Sequence, residues 1–239
     1  MRLRTRSLAL ALLSLPAAFC QDTGNTAPPS AGSKSIALLL DDVFGYLNMA
    51  GTKKATDFRA STQKERNQRY GKTLVNPIWY LKGALSAGQN QWMDKPAEWE
   101  QGASGYGKRY ADIQGQYAIQ KTVIFGLESL LHEDNRYFGS KKKGVWPRVG
   151  YALSSGVLAR HDNGKRYPSI SLVAGYASGA FLSRLWQPAS SNTAGDGAVS
   201  FGISMGWNIG FGVVKEYLPD ILRPLTEKYK PKQAGGGPD

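Results

Sequence analysis

The sequence is nearly devoid of the side chains that carry thiol, metal and imidazole chemistry. Its 239 residues include one cysteine, Cys20, and two histidines, His132 and His161. Cleavage of an N-terminal signal after Cys20 would leave a chain without disulfides, thiol nucleophiles or cysteine metal ligands. A zinc site would then depend on carboxylates, because zinc sites use mainly histidine and cysteine. We therefore expect neither a bound metal nor a cofactor.

Acidic residues are also scarce. The chain has 18 Asp and Glu residues against 30 Lys and Arg residues, for a formal net charge of +12. Loss of the three arginines that precede residue 20 would leave about +9 on the mature chain, a charge that favours anionic partners. In an exported protein the expected partners are phospholipid or lipopolysaccharide head groups, and nucleic acid is not expected.

No segment offers the roughly twenty consecutive apolar residues of a membrane-spanning helix. The apolar run at residues 8–15 is short, follows three arginines and precedes a small-x-small motif at residues 18–20. These features predict a secretory signal peptide over residues 1–20. An alternative is lipid attachment to Cys20, although Phe19 is bulky for the position before a lipidated cysteine. The expected location is the outer membrane or the periplasm of a Gram-negative bacterium.

The remaining chain is predicted to form one domain with unfolded segments on either side. Residues 21–34 are small, polar and rich in Pro, Gly and Ser, which predicts a flexible linker. Residues 229–239 carry too few apolar side chains to fold. Residues 35–228 are predicted to be a mainly α-helical, single-domain bundle with a short β-hairpin near residues 157–168.

Local signals place several helices. Apolar residues at helical spacing predict a helix over residues 35–49. Asn76-Pro77 has the form of a helix start, and the following segment predicts a helix to about Met93. Apolar residues at three-and-four spacing predict an amphipathic helix over residues 108–131. Its polar residues lie largely off that apolar stripe: Lys108, Asp112, Gln116 and Lys121.

The most specific turn signal is Asn163-Gly164, within the polar segment 161–168. This dipeptide favours the positive-φ positions of a tight hairpin turn. We therefore predict a short ribbon in which residues 157–160 pair with residues 165–167.

Two apolar segments, residues 171–186 and 199–218, are compatible with helix or strand. Large and small residues alternate through the second, as in the lipid-facing strands of a small outer-membrane β-barrel. The same two segments carry glycines at four-residue spacing, which lets helices approach closely: Gly175 and Gly179, then Gly202, Gly206 and Gly210. Helices are favoured, because a barrel needs about eight strands or more and few segments alternate. Glycine-spaced helices could also join copies of the chain into a homo-oligomer.

The densest cluster of potentially reactive side chains is His132, Glu133, Asp134 and Arg136. Such a cluster could serve acid–base chemistry, so the alternative function is an envelope hydrolase that uses these residues. A metalloprotease helix would need a second histidine at the position of Arg136. A structural interpretation explains more of the stretch, because His132 complements the helix dipole and the following polar residues favour a turn. Enzymatic activity is therefore not the favoured prediction.

Two further motifs resemble functional signatures but fail on their context. The segment 102–109, "GASGYGKR", lacks the hydroxyl that holds magnesium in a phosphate-binding loop, because Arg109 stands in its place. Ser204, in "GISMG", would need a catalytic histidine after it in the chain. Both histidines precede Ser204.

Basic side chains suggest a surface for anionic groups. Lys108 and Arg109 follow a glycine-rich stretch at a helix start, where an anionic head group could bind. Lys141, Lys142 and Lys143 form a basic run. Tyr and Trp recur near segment ends, a distribution typical of membrane interfaces. These features favour a membrane-associated structural or binding protein with a basic, aromatic-rimmed surface.

Four segments occur in a specific order over about residues 75–222: "GYGKRYA", "LLHEDNRYF", "RVGYALSSGVLARHDNGKR" and "VVKEYLPDI". Together they resemble a family of uncharacterised exported proteins found mainly in acidobacteria. Asn135 stands where the family pattern has proline, and Leu218 where it has tryptophan. The resemblance implies an exported, largely helical protein of one domain, and it implies no activity, cofactor or catalytic residue.

Overall fold

A computed structural model describes residues 58–228 of the chain. The predicted signal peptide, linker, helix over residues 35–49 and C-terminal tail lie outside these residues. The α-helices are α1 (Gln63–Leu74), α2 (Pro77–Trp92), α3 (Gly102–Leu130), α4 (Val145–Ser154), α5 (Ile170–Leu182) and α6 (Ala194–Lys228). Three antiparallel strands form one sheet in the order β1 (Glu133–Asp134), β2 (Leu158–His161) and β3 (Arg166–Pro168). The predicted mainly α-helical fold is confirmed.

Side-chain caps begin the first two helices. Thr62 and Glu65 form a capping box at α1, in which each side chain accepts a hydrogen bond from the other residue's backbone N–H. The Asn76 side chain accepts a bond of 2.9 Å from the backbone N–H two residues later, and Pro77 occupies the first position of α2. Met93 is the C-cap. The helix predicted from Asn76-Pro77 to about Met93 is therefore confirmed.

α3 contacts α1, α2 and α5, and its buried face is more polar than the sequence pattern predicts. The predicted helix over residues 108–131 is confirmed and begins earlier, at Gly102. Asp112 was predicted to lie off the buried stripe, which is wrong, because only 8% of it is exposed. Its carboxylate accepts a hydrogen bond of 2.8 Å from the indole N–H of Trp186. A carboxylate is tolerated inside a protein when donors satisfy it.

Glycine allows α5 to approach α3 closely. A Cβ atom at Gly175 or Gly179 would lie 2.9 Å from a backbone carbonyl oxygen of α3. The predicted small-residue packing is therefore present between these helices. Gly202, Gly206 and Gly210 of α6 differ, because no other described residue lies within 4 Å of a Cβ atom built at any of them.

Two matched substitutions test this difference between the glycines. We expect Gly175→Ala to lower the free energy of unfolding by about 1–3 kcal/mol, because the new methyl group overlaps α3. We expect Gly206→Ala to raise it by about 0.5–1 kcal/mol, because alanine favours a helix at an uncrowded position. Urea denaturation of both variants measures the two changes. Equal destabilisation by both variants would contradict the open environment of Gly206.

The hairpin lies at the predicted turn and carries one additional strand. In the register of β2 and β3, Leu158 lies opposite Pro168 and Arg160 opposite Arg166. Gly164 has a φ of +75°, as a tight turn requires. β1 pairs with β2 through Glu133, which lies opposite His161. The barrel alternative is wrong, because the alternating residues 199–211 form part of α6.

Candidate functional site

The stretch of reactive side chains directly follows α3, but His132 stands apart from the others. His132 has a φ of +54°, and 70% of its side chain is exposed. Its Nδ1 atom lies 3.0 Å from Asp162 on the hairpin turn. The next two side chains, Glu133 and Asp134, are 1% and 2% exposed. The reversal of the backbone at His132 thus separates the imidazole from the two carboxylates.

Glu133 accepts hydrogen bonds from the N-terminus of α5. Its carboxylate accepts hydrogen bonds of 3.0 Å from the backbone N–H groups of Ile170 and Ser171. It also accepts bonds from the hydroxyls of Ser169, at 2.9 Å, and Ser171. These N–H groups have no partner inside the helix, and a negative charge is favourable at a helix N-terminus. Glu133 therefore acts as a distant cap for α5.

Asp134 and Arg136 form an ion pair two residues apart. The Arg136 Nε and Nη2 atoms donate to the Asp134 carboxylate at distances of 2.6–2.9 Å. Ser61 donates to the same carboxylate at 3.0 Å. Burial favours a higher pKa for Asp134, but Arg136 outweighs this effect and holds the pKa below its ordinary value. Asp134 is therefore a charged anchor for the segment that precedes α1.

The four candidate catalytic residues thus take part in different structural contacts. The carboxylate oxygens of Glu133 and Asp134 are occupied by donors from α5, Ser61 and Arg136. His132 contacts neither carboxylate and pairs with Asp162. A general acid or base must reach the proton that it transfers. This arrangement favours the structural interpretation of the stretch.

The basic residues predicted for anionic contact separate into a buried and an exposed set. Arg109 is fully buried, so its assignment to the surface is wrong. Its guanidinium donates to the carbonyl oxygens of Lys95, at 2.9 Å, and Pro96, at 2.8 Å. Arg109 therefore holds the loop between α2 and α3. Exposed positions are occupied by Lys108, Lys141, Lys142 and Lys143.

Glu216 attaches the chain between β1 and α4 to α6. Only 3% of Glu216 is exposed, and it accepts bonds from the Tyr137 hydroxyl at 2.6 Å and from Arg148 Nε at 2.8 Å. The backbone N–H of Ser140 donates to it at 2.9 Å. Burial and the Glu216 carboxylate raise the pKa of Tyr137, which keeps that hydroxyl protonated as a donor. The basic run that follows Ser140 is thereby positioned beside α6.

A cavity of about 160 Å³ lies among α1, α3, α5 and α6. Two of its lining residues, Glu128 and Asn135, share a hydrogen bond of 2.8 Å. Glu128 is the one carboxylate among the lining residues. The lining also contains five cationic side chains: Arg66, Arg69, Lys121, Arg136 and Lys215.

Two of these cations, Lys121 and Lys215, form no ion pair with an anionic group in the part of the chain that the structure describes. Among the described residues neither ammonium group has a hydrogen bond or an ion pair, and their contacts are with aromatic rings. Lys121 Nζ lies 5.3 Å from the ring centroid of Tyr117, and Lys215 Nζ lies 5.8 Å from that of Phe211. Burial and repulsion from Lys215 and Lys82 lower the pKa of Lys121 to about 8. Burial and Lys82 also lower the pKa of Lys215.

Sequence patterns did not identify this cavity. The sequence predicts Lys121 only as part of the polar face of a helix, and Lys215 lies within the apolar segment 199–218. A single lysine in either setting usually extends its ammonium group to water. The signal in the sequence was one lysine beside apolar residues in each of two helices, which becomes informative only when α3 and α6 are known to pack against α5. No group of three or more metal-binding side chains occurs within the part of the chain that the structure describes.

A second feature is an apolar stripe on the exposed side of α6. Residues 197–214 contain no charged side chain. By length and composition the segment Ala194–Ile221 could cross a membrane, which the sequence pattern did not predict, and 17% of its most apolar window is buried. At 3.6 residues per turn, the exposed apolar side chains fall within an arc of about 80°. They are Val199, Ile203, Trp207, Val214 and Ile221, and we call them the α6 stripe.

Comparison of the chain with known protein families, with curated proteins and with solved structures found no match. The resemblance to an exported acidobacterial family therefore stays a prediction.

Proposed function

We propose that this chain is an exported protein of the Gram-negative envelope that binds a membrane surface through the α6 stripe. The observation that carries the proposal is that this row of large apolar side chains is exposed on a folded helix, with Trp207 67% exposed at its centre. Contiguous exposed apolar surface of this kind marks an interaction site. The role is structural or binding, and its site is the outer membrane or its periplasmic face.

The two sides of α6 favour a position along the membrane surface. Met205 and Glu216 are buried against the protein, whereas the α6 stripe faces outward. A helix with one apolar face exposed and one face covered is typical of an interfacial helix. The covered face contains Glu216, whose bonds to Tyr137 and Arg148 would be lost if α6 separated from the domain.

Basic residues that precede α4, and an aromatic residue in its first turn, support the same orientation. Lys141, Lys142 and Lys143 are exposed, and they are followed by Trp146, which is 82% exposed. α4 packs against α6, and the Tyr217 hydroxyl donates to the first residue of α4 at 3.0 Å. Lysines attract anionic lipid, and tryptophan favours the depth of the head groups. These residues are the proposed contact with phospholipid or lipopolysaccharide.

A second copy of the chain is the alternative occupant of this surface. Gly202, Gly206 and Gly210 lie beside the α6 stripe and have open space at their Cβ positions. Such a surface would let a second α6 approach closely. The proposed homo-oligomer would bury the same side chains as the membrane would.

The hydrolase alternative has weaker support. It requires His132, Glu133, Asp134 and Arg136 to act together, and their contacts are with different structural partners. Of the four side chains His132 is the most exposed. A His132→Ala variant that loses a measurable hydrolytic activity would restore this alternative.

Envelope fractionation of cells that produce the full chain tests the membrane proposal. We expect the mature protein to stay in the membrane fraction after an alkaline carbonate wash. Substitution of Ile203 and Trp207 by serine removes two large apolar contacts and should weaken membrane partitioning roughly tenfold or more. The protein would then be found in the periplasmic extract.

The control is the same pair of substitutions on another exposed apolar surface. Leu81 and Leu85 of α2 are 59% and 65% exposed, and their replacement by serine should leave the membrane fraction unchanged. All variants carry Cys20→Ser, which removes lipid attachment as a second route to the membrane. Equal retention of both double variants would reject the α6 stripe. A concentration-dependent dimer that only the α6 variant abolishes would identify a second copy as the occupant.

A further inference from the structure

The cavity among α1, α3, α5 and α6 holds more positive charge than its surroundings neutralise. Arg136 is paired with Asp134, and Arg69 lies 3.3 Å from Glu128. Lys121 and Lys215 remain without a carboxylate partner among the described residues, although both are partly buried. A buried charge is costly unless it is paired. Two unpaired lysines at one cavity are therefore unfavourable for the fold on its own.

We propose that this cavity binds a small oxyanion of the phosphate class, held chiefly by Lys121 and Lys215. The site goes beyond the proposed membrane contact, because it lies between helices and uses none of the side chains of the α6 stripe. An oxyanion at this position would bring both ammonium groups a negative partner that the described residues do not supply.

The cavity has a suitable size and suitable donors. Its volume of about 160 Å³ equals roughly five water molecules at about 30 Å³ each, which accommodates an ion of five heavy atoms. Lysine and arginine donate charge-assisted hydrogen bonds, which are the strongest that phosphate oxygens accept in proteins. Arg66 contributes a buried Nη2 atom that has no hydrogen bond to any described residue and lies 3.8 Å from Asp162. Asn208 is a further lining residue.

The negative charge of Glu128 reduces the positive charge of the cavity but does not neutralise it. The Glu128 carboxylate accepts bonds from Asn135 at 2.8 Å and from Arg69 at 3.3 Å. Glu128 also attracts Lys121, but among the described residues it forms no ion pair with it, and repulsion from Lys215 and Lys82 acts in the opposite direction. The two lysines therefore keep their hydrogen-bond donors available for a ligand.

The oxyanion could come from solution or from a lipid. A free phosphate or phosphomonoester would enter the cavity directly, whereas a phospholipid would insert a head group that bears the same phosphate. Both sources present the same oxygens to Lys121 and Lys215, so two separate binding measurements distinguish them.

The first measurement titrates the full mature protein with inorganic phosphate at constant ionic strength. Calorimetry is expected to show saturable binding, and thermal unfolding is expected to shift upward with phosphate concentration. Lys121→Met and Lys215→Met should each weaken binding roughly tenfold, because each removes one charge-assisted contact. Lys108→Met and Lys142→Met, which remove exposed lysines elsewhere, should change it less than about twofold.

The second measurement uses vesicles of phosphatidylcholine with and without phosphatidic acid. Binding to phosphatidic acid vesicles that depends on Lys121 and Lys215, without binding of free phosphate, would support the site with a lipid head group as its ligand. No binding in either assay would overturn the proposal, and so would binding that only Lys142→Met weakens. Lys121→Gln provides a second variant if Lys121→Met fails to fold. The Ile203→Ser and Trp207→Ser double variant should bind free phosphate normally, which separates this site from the membrane contact.

Discussion

Glu133→Ala is expected to lower the free energy of unfolding by about 3–5 kcal/mol, an effect that few single substitutions reach. The carboxylate that it removes accepts two backbone N–H groups and two serine hydroxyls at the start of α5. Each buried donor left without an acceptor costs about 1–3 kcal/mol. Since whole domains are stable by only about 5–15 kcal/mol, thermal unfolding should shift downward by roughly 10 °C.

The control for Glu133→Ala is Asp220→Ala. Asp220 is 59% exposed and pairs with Arg148 at 2.8 Å. An exposed ion pair contributes about 0–1 kcal/mol, so this variant should unfold close to the wild type. A Glu133→Ala protein with unchanged stability would contradict the capping role, and a loss of hydrolytic activity in such a protein would favour the catalytic alternative.

Lys121→Met is expected to stabilise the protein at pH 7 by about 1–3 kcal/mol, the opposite of what loss of a paired charge does. The pKa of Lys121 is about 8 in the folded chain against an ordinary 10.5. Between these two values the unfolded chain binds more protons, so the stability of the wild type rises with pH. Below about pH 8 the lysine is charged in both states, and the folded state carries the full cost.

The stabilisation by Lys121→Met is expected to depend on pH. The stability difference between Lys121→Met and wild type should be greatest below pH 8 and should decrease toward pH 10.5. The charged groups near Lys121 that influence it are Lys82, Glu128 and Lys215. Urea denaturation at several pH values measures the difference, and Lys108→Met serves as the exposed control. Destabilisation by Lys121→Met at pH 7 would show that the ammonium group already has a partner.

Phosphate should reduce the difference in stability between Lys121→Met and wild type. If the cavity binds an oxyanion, wild type gains stability from phosphate and Lys121→Met gains much less. The two proteins should therefore approach each other in stability as phosphate is added at pH 7. This result would identify Lys121 as a residue that lowers stability for the sake of binding.

Features with local causes could be predicted from the sequence. Asn76-Pro77 begins a helix because the amide side chain and the proline act on the adjacent backbone, and the structure agrees. Asn163-Gly164 forms the hairpin turn because glycine reaches the required positive φ. The strands around it begin one residue later than predicted, at Leu158 and Arg166, and β2 continues to His161, where it pairs with β1.

Features with distant partners could not be predicted. The sequence predicts Asp112 outside the core because it lies off the apolar stripe, and Arg109 because it follows a glycine-rich stretch at a helix start. Arg109 is instead satisfied by carbonyl groups of the loop before α3, and Asp112 by Trp186. The position of the partner decided burial in both cases. A distant partner also explains the burial of Glu133 in the polar stretch after α3, because its hydrogen-bond donors come from α5.

Two helices carry glycines at four-residue spacing, and the glycines are packed in one helix and open in the other. Gly175 and Gly179 pack against α3, whereas Gly202, Gly206 and Gly210 remain open. Glycines at four-residue spacing lie on one face of a helix and let another helix approach that face closely. The spacing does not specify which helix covers the face. The orientation of α6 about its own axis, held by Glu216, decides it.

The sequence by itself determined the helical class, the start of α2, the hairpin turn, the excess of positive charge and the scarcity of thiol and imidazole groups, because each of these depends on composition or on neighbours in the chain. The tertiary structure alone decided which charged residues are buried, which side of α6 is exposed and which cations share a cavity. Lys121 and Lys215 are far apart in the sequence, and the packing of α3, α5 and α6 brings them together. Hydrogen bonds act over about 3 Å and charge interactions over about 10 Å in salt solution, so such groups acquire their roles only when the helices have packed.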